Sequence, residues 1–355
     1  MKKLLTLMMF AMATSLLSSP ADAQDQKVRW RLAETWPTNF SLFSEVPRRM
    51  AENVKKMSGG RFTIIIDSAN KHKSPLGVFD FVSSGQYQMA HSASYYWKGK
   101  DINTLFFTTM PLGMIEAEQT GWYYFGGGKE LAQKVYGQYG MRYYPGGNTG
   151  NQMGGWFKKE INSIEDLQGL QMRIPGFAGE VLAKVGAKPT NIAPGELYTA
   201  LERGTIDALE WIGPAMDLDM GFQKIAPYYY TGWHEPATEL QFLVNEKAFQ
   251  ALPEEFQAIL EIAMQEAAFE MAAESYYENA VIWDSIKQDY PEVQVKTFPP
   301  EVMSALKTAT EELVNEFEAK GGITAEIIKS QREYSKKARE WTNISDKAYL
   351  NNLSE

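Results

Sequence analysis

Apolar and polar residues follow two rhythms along this chain, and the rhythm changes often. Val28, Trp30 and Leu32 alternate with Arg29 and Arg31, and Phe62, Ile64 and Ile66 repeat the same period of two. Both stretches predict strands with one polar face. Between them Phe43, Val46, Met50, Val54 and Met57 fall at helical spacing, and Gly59-Gly60 ends that run. Residues 68–76 read as a polar loop with Pro75, 77–84 as a short helix and 87–91 as a third strand. Strand–helix–strand order implies parallel strands joined by right-handed crossovers. Residues 115–139 read as helical and aromatic-rich, interrupted at Gly126-Gly127-Gly128.

After Met141 to Tyr144 the chain enters a glycine-rich segment, where it is expected to leave the first α/β unit. A second unit runs to about residue 236, with a helical turn at 164–167 and helices at 179–185 and 194–203. Residues 240–244 read as a strand returning to the first unit. The clearest helix covers 253–289: Pro253, Glu254 and Glu255 suit a first turn, and Pro291 ends it. Its span of about 54 Å exceeds one small domain, so it is expected to cross both. Helices at 301–320 and from 324 to at least 341 follow. Ile327, Ile328, Tyr334 and Trp341 give the last one a covered face. That face packs either on its own domain or on a second subunit in a homodimer.

The fold class is therefore α/β, with two lobes and a long helix spanning both. Lobe I is expected at 24–146 and 238–270, lobe II at 147–237 and 271–322, and a C-terminal helical segment at 323–355. Residues 1–23 read as a secretory signal peptide. Lys2-Lys3 is its basic start, Leu4 to Leu17 a short apolar run and Ala21-Asp22-Ala23 the cleavage site. The mature protein is expected in the periplasm.

Composition narrows the chemistry. With no cysteine, thiolate nucleophiles, thiolate metal sites and disulfides are all excluded. Only His72, His91 and His234 occur, none paired at ligand spacing, so an imidazole-rich zinc site is not expected. A formal charge of -9 without a basic tract argues against nucleic acid as partner. The phosphate-loop, nucleophile-elbow and His-Glu-x-x-His patterns are missing.

Three segments set polar side chains among glycines, prolines and aromatics: Gly147-Asn148-Thr149-Gly150-Asn151-Gln152, Met172-Arg173-Ile174-Pro175-Gly176 and Glu210-Trp211-Ile212-Gly213-Pro214. Amide, guanidinium and carboxylate together suit a small organic acid, with a cation beside it. Arg173 lies among apolar neighbours, and its planar fork matches a carboxylate. Gln152, Glu210 and the main-chain carbonyl of Trp211 are oxygen donors of the kind that calcium or sodium prefers.

These segments, with Trp36-Pro37, Tyr95-Tyr96-Trp97-Lys98 and Gly232-Trp233-His234-Glu235-Pro236, resemble the solute-binding subunits of tripartite ATP-independent periplasmic (TRAP) transporters. They most resemble the branch that binds 2-oxo or 2-hydroxy monocarboxylates with a metal ion. The resemblance implies a two-lobed receptor that closes on its ligand and presents it to a membrane permease. It implies that Arg173 grips the carboxylate, while Gln152, Glu210 and Trp211 flank the ion. A further ligand to the ion comes from Glu235 or Glu239, with Glu235 preferred. One tyrosine of Tyr95-Tyr96 reaches the carboxylate and Phe177 walls off the ligand's side chain. Asn148 either binds the ligand or stabilises a turn, and Trp36 either roofs the pocket or belongs to the core. Two other readings stand beside this one: a metal-independent receptor for a dicarboxylate or sugar acid, and a periplasmic hydrolase using Glu210 and Glu235.

Overall fold

In the computed structural model, residues 26–353 are described, so the expected signal peptide lies outside the described residues. Among the described residues eleven strands form two sheets. β1 (Val28–Glu34), β2 (Phe62–Asp67), β3 (Met89–Ala93), β4 (Met141–Asn148) and β10 (Glu239–Asn245) make the first, in the order β2-β1-β3-β10-β4. β1 pairs in parallel with β2 and β3, whereas β10 runs antiparallel to both β3 and β4.

The second sheet contains β5 (Gly155–Phe157), β6 (Gln171–Arg173), β7 (Lys188–Thr190), β8 (Ala208–Leu209), β9 (Tyr228–Tyr230) and β11 (Gln294–Lys296). Their order is β11-β9-β5-β8-β6-β7. The chain passes from the first sheet to the second between Asn148 and Gly155, and returns between Tyr230 and Glu239.

Most elements fall where the pattern puts them. The helix Glu45–Met57 buries Val46, Met50 and Val54, and ends at Ser58 before two glycines of positive φ. Two segments differ. The polar loop after β2 contains a short helix, Ala69–His72, in which Lys71 pairs with Asp67 and His72 Nε2 meets the Glu34 carbonyl at 2.9 Å. Lys71 and His72 are thus tied to the strand ends. The third strand begins two residues later than the pattern suggests, because its buried run Met89–Ala93 carries the pairing with β1 and β10.

The 36-residue helix Glu254–Asp289 touches both sheets' layers. Near its start Phe256 stacks on Phe62, with ring centroids 5.5 Å apart, and Glu261 accepts from the Tyr144 hydroxyl at 2.8 Å. Midway, Ser275 Oγ donates to the Thr149 carbonyl at 2.9 Å, inside the first crossover. One turn later Asn279 Oδ1 accepts from Ala215 N at 3.1 Å, at the start of the helix Pro214–Met220. A rigid rod therefore braces one lobe, the crossover and the other lobe in turn.

The crossovers run close together because glycine lets them. A Cβ on Gly232 would stand 1.9 Å from the Gln152 carbonyl oxygen. Gly155 has φ +113, and a Cβ there would meet the Leu209 carbonyl oxygen at 2.4 Å. Neither obstacle is a flexible side-chain end, so the backbone itself must move.

The C-terminal helix Gly322–Ile344 buries Ile327, Ile328 and Gln331 against its own chain. Arg339 grips Glu118 through Nε and Nη2, both at 2.8 Å, and Thr342 donates to the same carboxylate at 2.7 Å. Burial would raise the Glu118 carboxyl, but Arg339 and Thr342 hold it below its usual range. Beyond this anchor Trp341, Ile344, Tyr349 and Leu353 are exposed.

Gly155→Ala should lower the unfolding free energy by about 1–3 kcal/mol, the cost of a strained backbone position. Gly99→Ala, where a Cβ meets nothing within 4 Å, is the matched control. Equal melting temperatures for the two variants in a thermal unfolding series would show that the start of β5 yields freely against β8.

Candidate functional site

Arg173 is the last residue of β6, and Glu210 follows the last residue of β8. These strands are parallel neighbours with Arg173 opposite Leu209, and Glu210 N extends the pairing to the Arg173 carbonyl at 3.2 Å. Both side chains therefore leave the carboxyl ends of adjacent strands, the usual place for a ligand in such sheets. From the other lobe Tyr95 and Tyr96 come off the turn that follows β3, at the carboxyl end of that sheet's parallel strands. The lobes meet here: Arg173 Nη2 donates to the Tyr96 hydroxyl at 3.4 Å.

Arg173 is 1% exposed, and its guanidinium forms an ion pair with Glu210 Oε1, also 1% exposed. Nη1 donates in addition to the Glu210 main-chain carbonyl at 2.9 Å, and the guanidinium stands 5.3 Å from the Trp211 ring. Burial by itself lowers the proton affinity of Arg173, but Glu210 and then Tyr96, Tyr95 and Glu235 raise it past its ordinary value. The charge is therefore permanent. Burial lifts the Tyr96 phenol to about 12 and the Tyr95 phenol well above its ordinary value, so both keep their protons and can donate.

The crossovers supply the rest. Gln152 N donates to the Glu235 carbonyl at 2.9 Å, which lays the two segments side by side. Glu235 Oε2 accepts from Thr238 Oγ1 at 2.6 Å, and Gln152 Nε2 donates to Thr149 Oγ1 at 2.9 Å. Their other oxygens, Glu235 Oε1 and Gln152 Oε1, are buried without a partner. His234 Nε2 stands 3.3 Å from Glu210 Oε2. Glu210, His234 and Glu235 each bring one ligand atom within 4.8 Å of the others, all three buried. The Glu235 carboxyl is pushed up first by burial and then by the Glu210 carboxylate, while His234, Thr238 and Arg173 pull it back.

Unpaired buried acceptors are costly, and buried carboxylates need compensation. A hard cation relieves both strains at once, since it takes carboxylate, amide and main-chain oxygens. The donor set of Gln152, Glu210 and Glu235 fits such an ion.

One carboxylate holds this corner from behind. Asp217 is fully buried; Oδ1 accepts from Ile212 N at 3.0 Å, and Oδ2 from Trp156 Nε1 at 2.9 Å and the Tyr229 hydroxyl at 2.8 Å. The Ile212 carbonyl in turn accepts from Met153 N at 2.8 Å. The turn that carries Glu210 and Trp211 is thereby pinned to the crossover that carries Gln152.

Glu239 and Phe177 sit apart from the cluster, while Asn148 and Trp36 each take the second of the two roles open to them. Glu239 is apart from the cluster: Oε1 accepts from Gly146 N and Gly147 N, each at 3.1 Å, and Oε2 from Asn148 Nδ2 at 3.2 Å. As the first residue of β10 it anchors β4, and its oxygens are used there. Asn148 also spends its amide locally, with Oδ1 accepting from Gly150 N and Thr238 N and Nδ2 donating to Gln119 as well. It ties the two crossovers together. Phe177 packs between Phe106 and Phe317, at 6.0 and 5.6 Å, inside an aromatic core. Trp36 is core too, with Nε1 donating to His91 Nδ1 at 2.9 Å. His234 and Asp217 were missed. His234 carried one signal, its place beside Glu235, whereas Asp217 carried none, because its bonds to Ile212, Tyr229 and Trp156 follow no sequence pattern.

Residues 32–320 match the model of a family described as bacterial extracellular solute-binding protein, family 7. A monocarboxylate 2-oxoacid-binding periplasmic protein of Nostoc sp. (strain PCC 7120) is 35% identical over 95% of this chain and 92% of its own. Two crystal structures of TRAP periplasmic solute-binding proteins superpose with a TM-score of 0.91. One, from Colwellia psychrerythraea with bound calcium and pyruvate, is 65% identical and covers 92% of this chain and 100% of its own. The other, from Pseudoalteromonas atlantica T6c with bound sodium and pyruvate, is 62% identical and covers 92% and 99%. No helix among the described residues is long and apolar enough to cross a membrane. A match over most of its length, in a fold shared with those receptors, makes this chain a member of extracellular solute-binding protein family 7, the solute receptors of TRAP transporters.

Proposed function

We propose that this receptor captures a small 2-oxo or 2-hydroxy monocarboxylate, with pyruvate the leading candidate, together with a calcium ion. The supporting observation is the buried pair of unpartnered oxygens, Gln152 Oε1 and Glu235 Oε1, beside Glu210 and within one cluster with Arg173. Pyruvate with calcium or with sodium in the two similar structures agrees with it.

Charge favours the divalent ion. Two buried carboxylates, Glu210 and Glu235, face one guanidinium. A monocarboxylate ligand adds a second unbalanced negative charge. Calcium cancels both, and sodium only one. In a dry site the residual charge is expensive.

In this reading Gln152, Glu210, Glu235 and the Trp211 carbonyl would hold the ion, which would supply the positive charge that draws in the oxygens of the acid. Arg173 takes the carboxylate through parallel hydrogen bonds. Tyr95 and Tyr96 donate from the opposite lobe, so the ligand bonds to both lobes only when they are closed. The lobes divide at 24–146 with 238–270 and 147–237 with 271–322, and the chain reaches the periplasm through removal of residues 1–23. The closed form is presented to a membrane permease, and no ligand is turned over.

A homodimer belongs to the same proposal. Phe125 and Phe269 are 94% and 73% exposed beside a cavity of about 460 Å³. The C-terminal segment exposes Trp341, Ile344 and Tyr349, so one chain carries both an apolar groove and apolar side chains to fill it.

Pyruvate and calcium together should raise the unfolding free energy by about 2.7 kcal/mol at a hundredfold excess over Kd. Lactate and longer 2-oxo acids should act similarly, and a chelator should remove most of the gain. Equal stabilisation by malate, indifferent to chelation, would favour the metal-independent receptor. Glycoside or ester turnover lost in Glu210→Gln would favour the hydrolase.

Glu235→Gln should weaken calcium binding about 10–100-fold in titration calorimetry, the scale on which metal sites respond to a lost partner. Glu239→Gln should leave it within about twofold, since its oxygens serve Gly146, Gly147 and Asn148. The opposite ranking would move the ion to Glu239. Light scattering should give twice the chain mass for the native protein and the single mass for a Phe269→Glu, Trp341→Glu double variant. A native monomer at micromolar concentration would remove the dimer.

A further inference from the structure

Arg173 is already occupied in a way that bears on how a carboxylate reaches it. Of the five N–H bonds of a guanidinium, four have acceptors here. Nε meets the Ile192 carbonyl at 3.4 Å and Nη2 the Tyr96 hydroxyl at 3.4 Å. Both protons of Nη1 go to Glu210, one to its main-chain carbonyl at 2.9 Å and one to carboxylate Oε1. A ligand carboxylate needs two adjacent N–H bonds for a parallel grip. Glu210 stands where one of its oxygens would bind.

The same carboxylate borders the proposed ion site. Its Oε2 stands 3.3 Å from His234 Nε2, in the cluster that includes Glu235. Glu210 thus has two competing attractions within reach of one short side chain: the guanidinium on one side and the corner of unpaired oxygens on the other.

We propose that Glu210 is an internal stand-in for the ligand's carboxylate on Arg173, and that it is released by the cation. With calcium held by Gln152 and Glu235, the Glu210 carboxylate turns to the ion and releases the one Nη1 N–H it occupied, which joins the unused N–H of Nη2 to receive the incoming acid, while the other Nη1 proton stays on the Glu210 main-chain carbonyl. Binding is then ordered, cation before carboxylate, and each tightens the other by the same factor. The inference rests on the metal-assisted reading above. It adds a function for Glu210 that an ordinary ion ligand does not have, namely to block Arg173 until the ion arrives.

The test uses the full mature chain, with pyruvate and calcium as probes and titration calorimetry as the readout. Glu210→Gln removes the stand-in, so without calcium its pyruvate affinity should exceed the wild-type value by about tenfold or more, within the usual range of coupling between sites. Glu235→Gln removes the same charge from the same pocket without touching Arg173, and should gain less than about threefold. Equal gains in both variants would reduce the effect to bulk charge and overturn the proposal. So would a folded Glu210→Gln protein with no gain.

A measurement on the wild-type protein covers a Glu210→Gln variant that does not fold. In stopped-flow tryptophan fluorescence, preloading with calcium should speed the response to pyruvate, while preloading with pyruvate should not speed the response to calcium. Acceleration by pyruvate preloading would overturn the order. Wild-type protein that binds pyruvate without regard to calcium would instead sink the metal-assisted reading itself.

Discussion

The buried ion pair of Arg173 and Glu210, with Glu235 close by, is the constraint around which the molecule is arranged. Two carboxylates and one guanidinium lie almost wholly out of water. Removing charges from water costs several kcal/mol each, and the cost is recovered only through good geometry and further hydrogen bonds. The protein meets part of that demand with Tyr96, Thr238, His234 and the main-chain carbonyls of Glu210 and Ile192. It leaves two oxygens unmet. A site with an incomplete set of partners favours whatever completes it, and unpaired buried oxygens beside carboxylates call for positive charge.

The architecture follows from holding such a cluster between moving parts. Arg173 and Glu210 are fixed by adjacent strands of one sheet, Tyr95 and Tyr96 by the turn after a strand of the other. Gln152 and Glu235 sit on the crossovers, which bond to each other through Gln152 N and through Asn148 to Thr238 N. Asp217 fixes the Glu210 turn to the same crossover, and the long helix steadies both through Ser275 and Asn279. Gln152 and Glu235 therefore lie on the segments that join the lobes, Arg173 and Glu210 on the strand ends of one lobe, and the tyrosines on the lobe opposite.

The legibility of these features in the sequence depended on the distance over which each one is encoded. β1 and β2 have a clear period of two, and the helix Glu254–Asp289 is marked at its ends by Pro253-Glu254-Glu255 and Pro291, so signals within or beside each element find it. The second sheet does not: β8 is two residues long, and no period can be seen in Ala208-Leu209. Arg173 stood out through the resemblance of its Arg173-Ile174-Pro175 segment, since apolar neighbours around a charge also suit an outward residue on a strand. Glu235 and Glu239 are both carboxylates on one short segment, and what separates them is not local. Glu239 opens β10 opposite Asn148, where two glycine amides claim it, while Glu235 stays on the crossover beside Gln152. Phe177 follows a substrate-binding motif in sequence, yet its ring turns toward Phe106 and Phe317, a core that exists only once distant helices have packed.

Closure itself rests on modest forces. Across the cleft Lys98 pairs with Glu180, but both are partly exposed, and pairs of that kind contribute about 0–1 kcal/mol. The Trp211 ring meets Phe40 and Phe43 edge-on, at 5.6 and 5.8 Å, which adds about 0.5–1.5 kcal/mol for each pair. The cross-cleft bond of Arg173 to Tyr96 is long, at 3.4 Å. Phe177 also meets Phe106 of the other lobe at 6.0 Å. A ligand shifts the equilibrium between open and closed forms only by its differential affinity for the two. A neutralised cluster of ion, acid and guanidinium, bonded to both lobes, supplies such a difference, whereas an acid alone would add repulsion to a corner that already carries surplus negative charge.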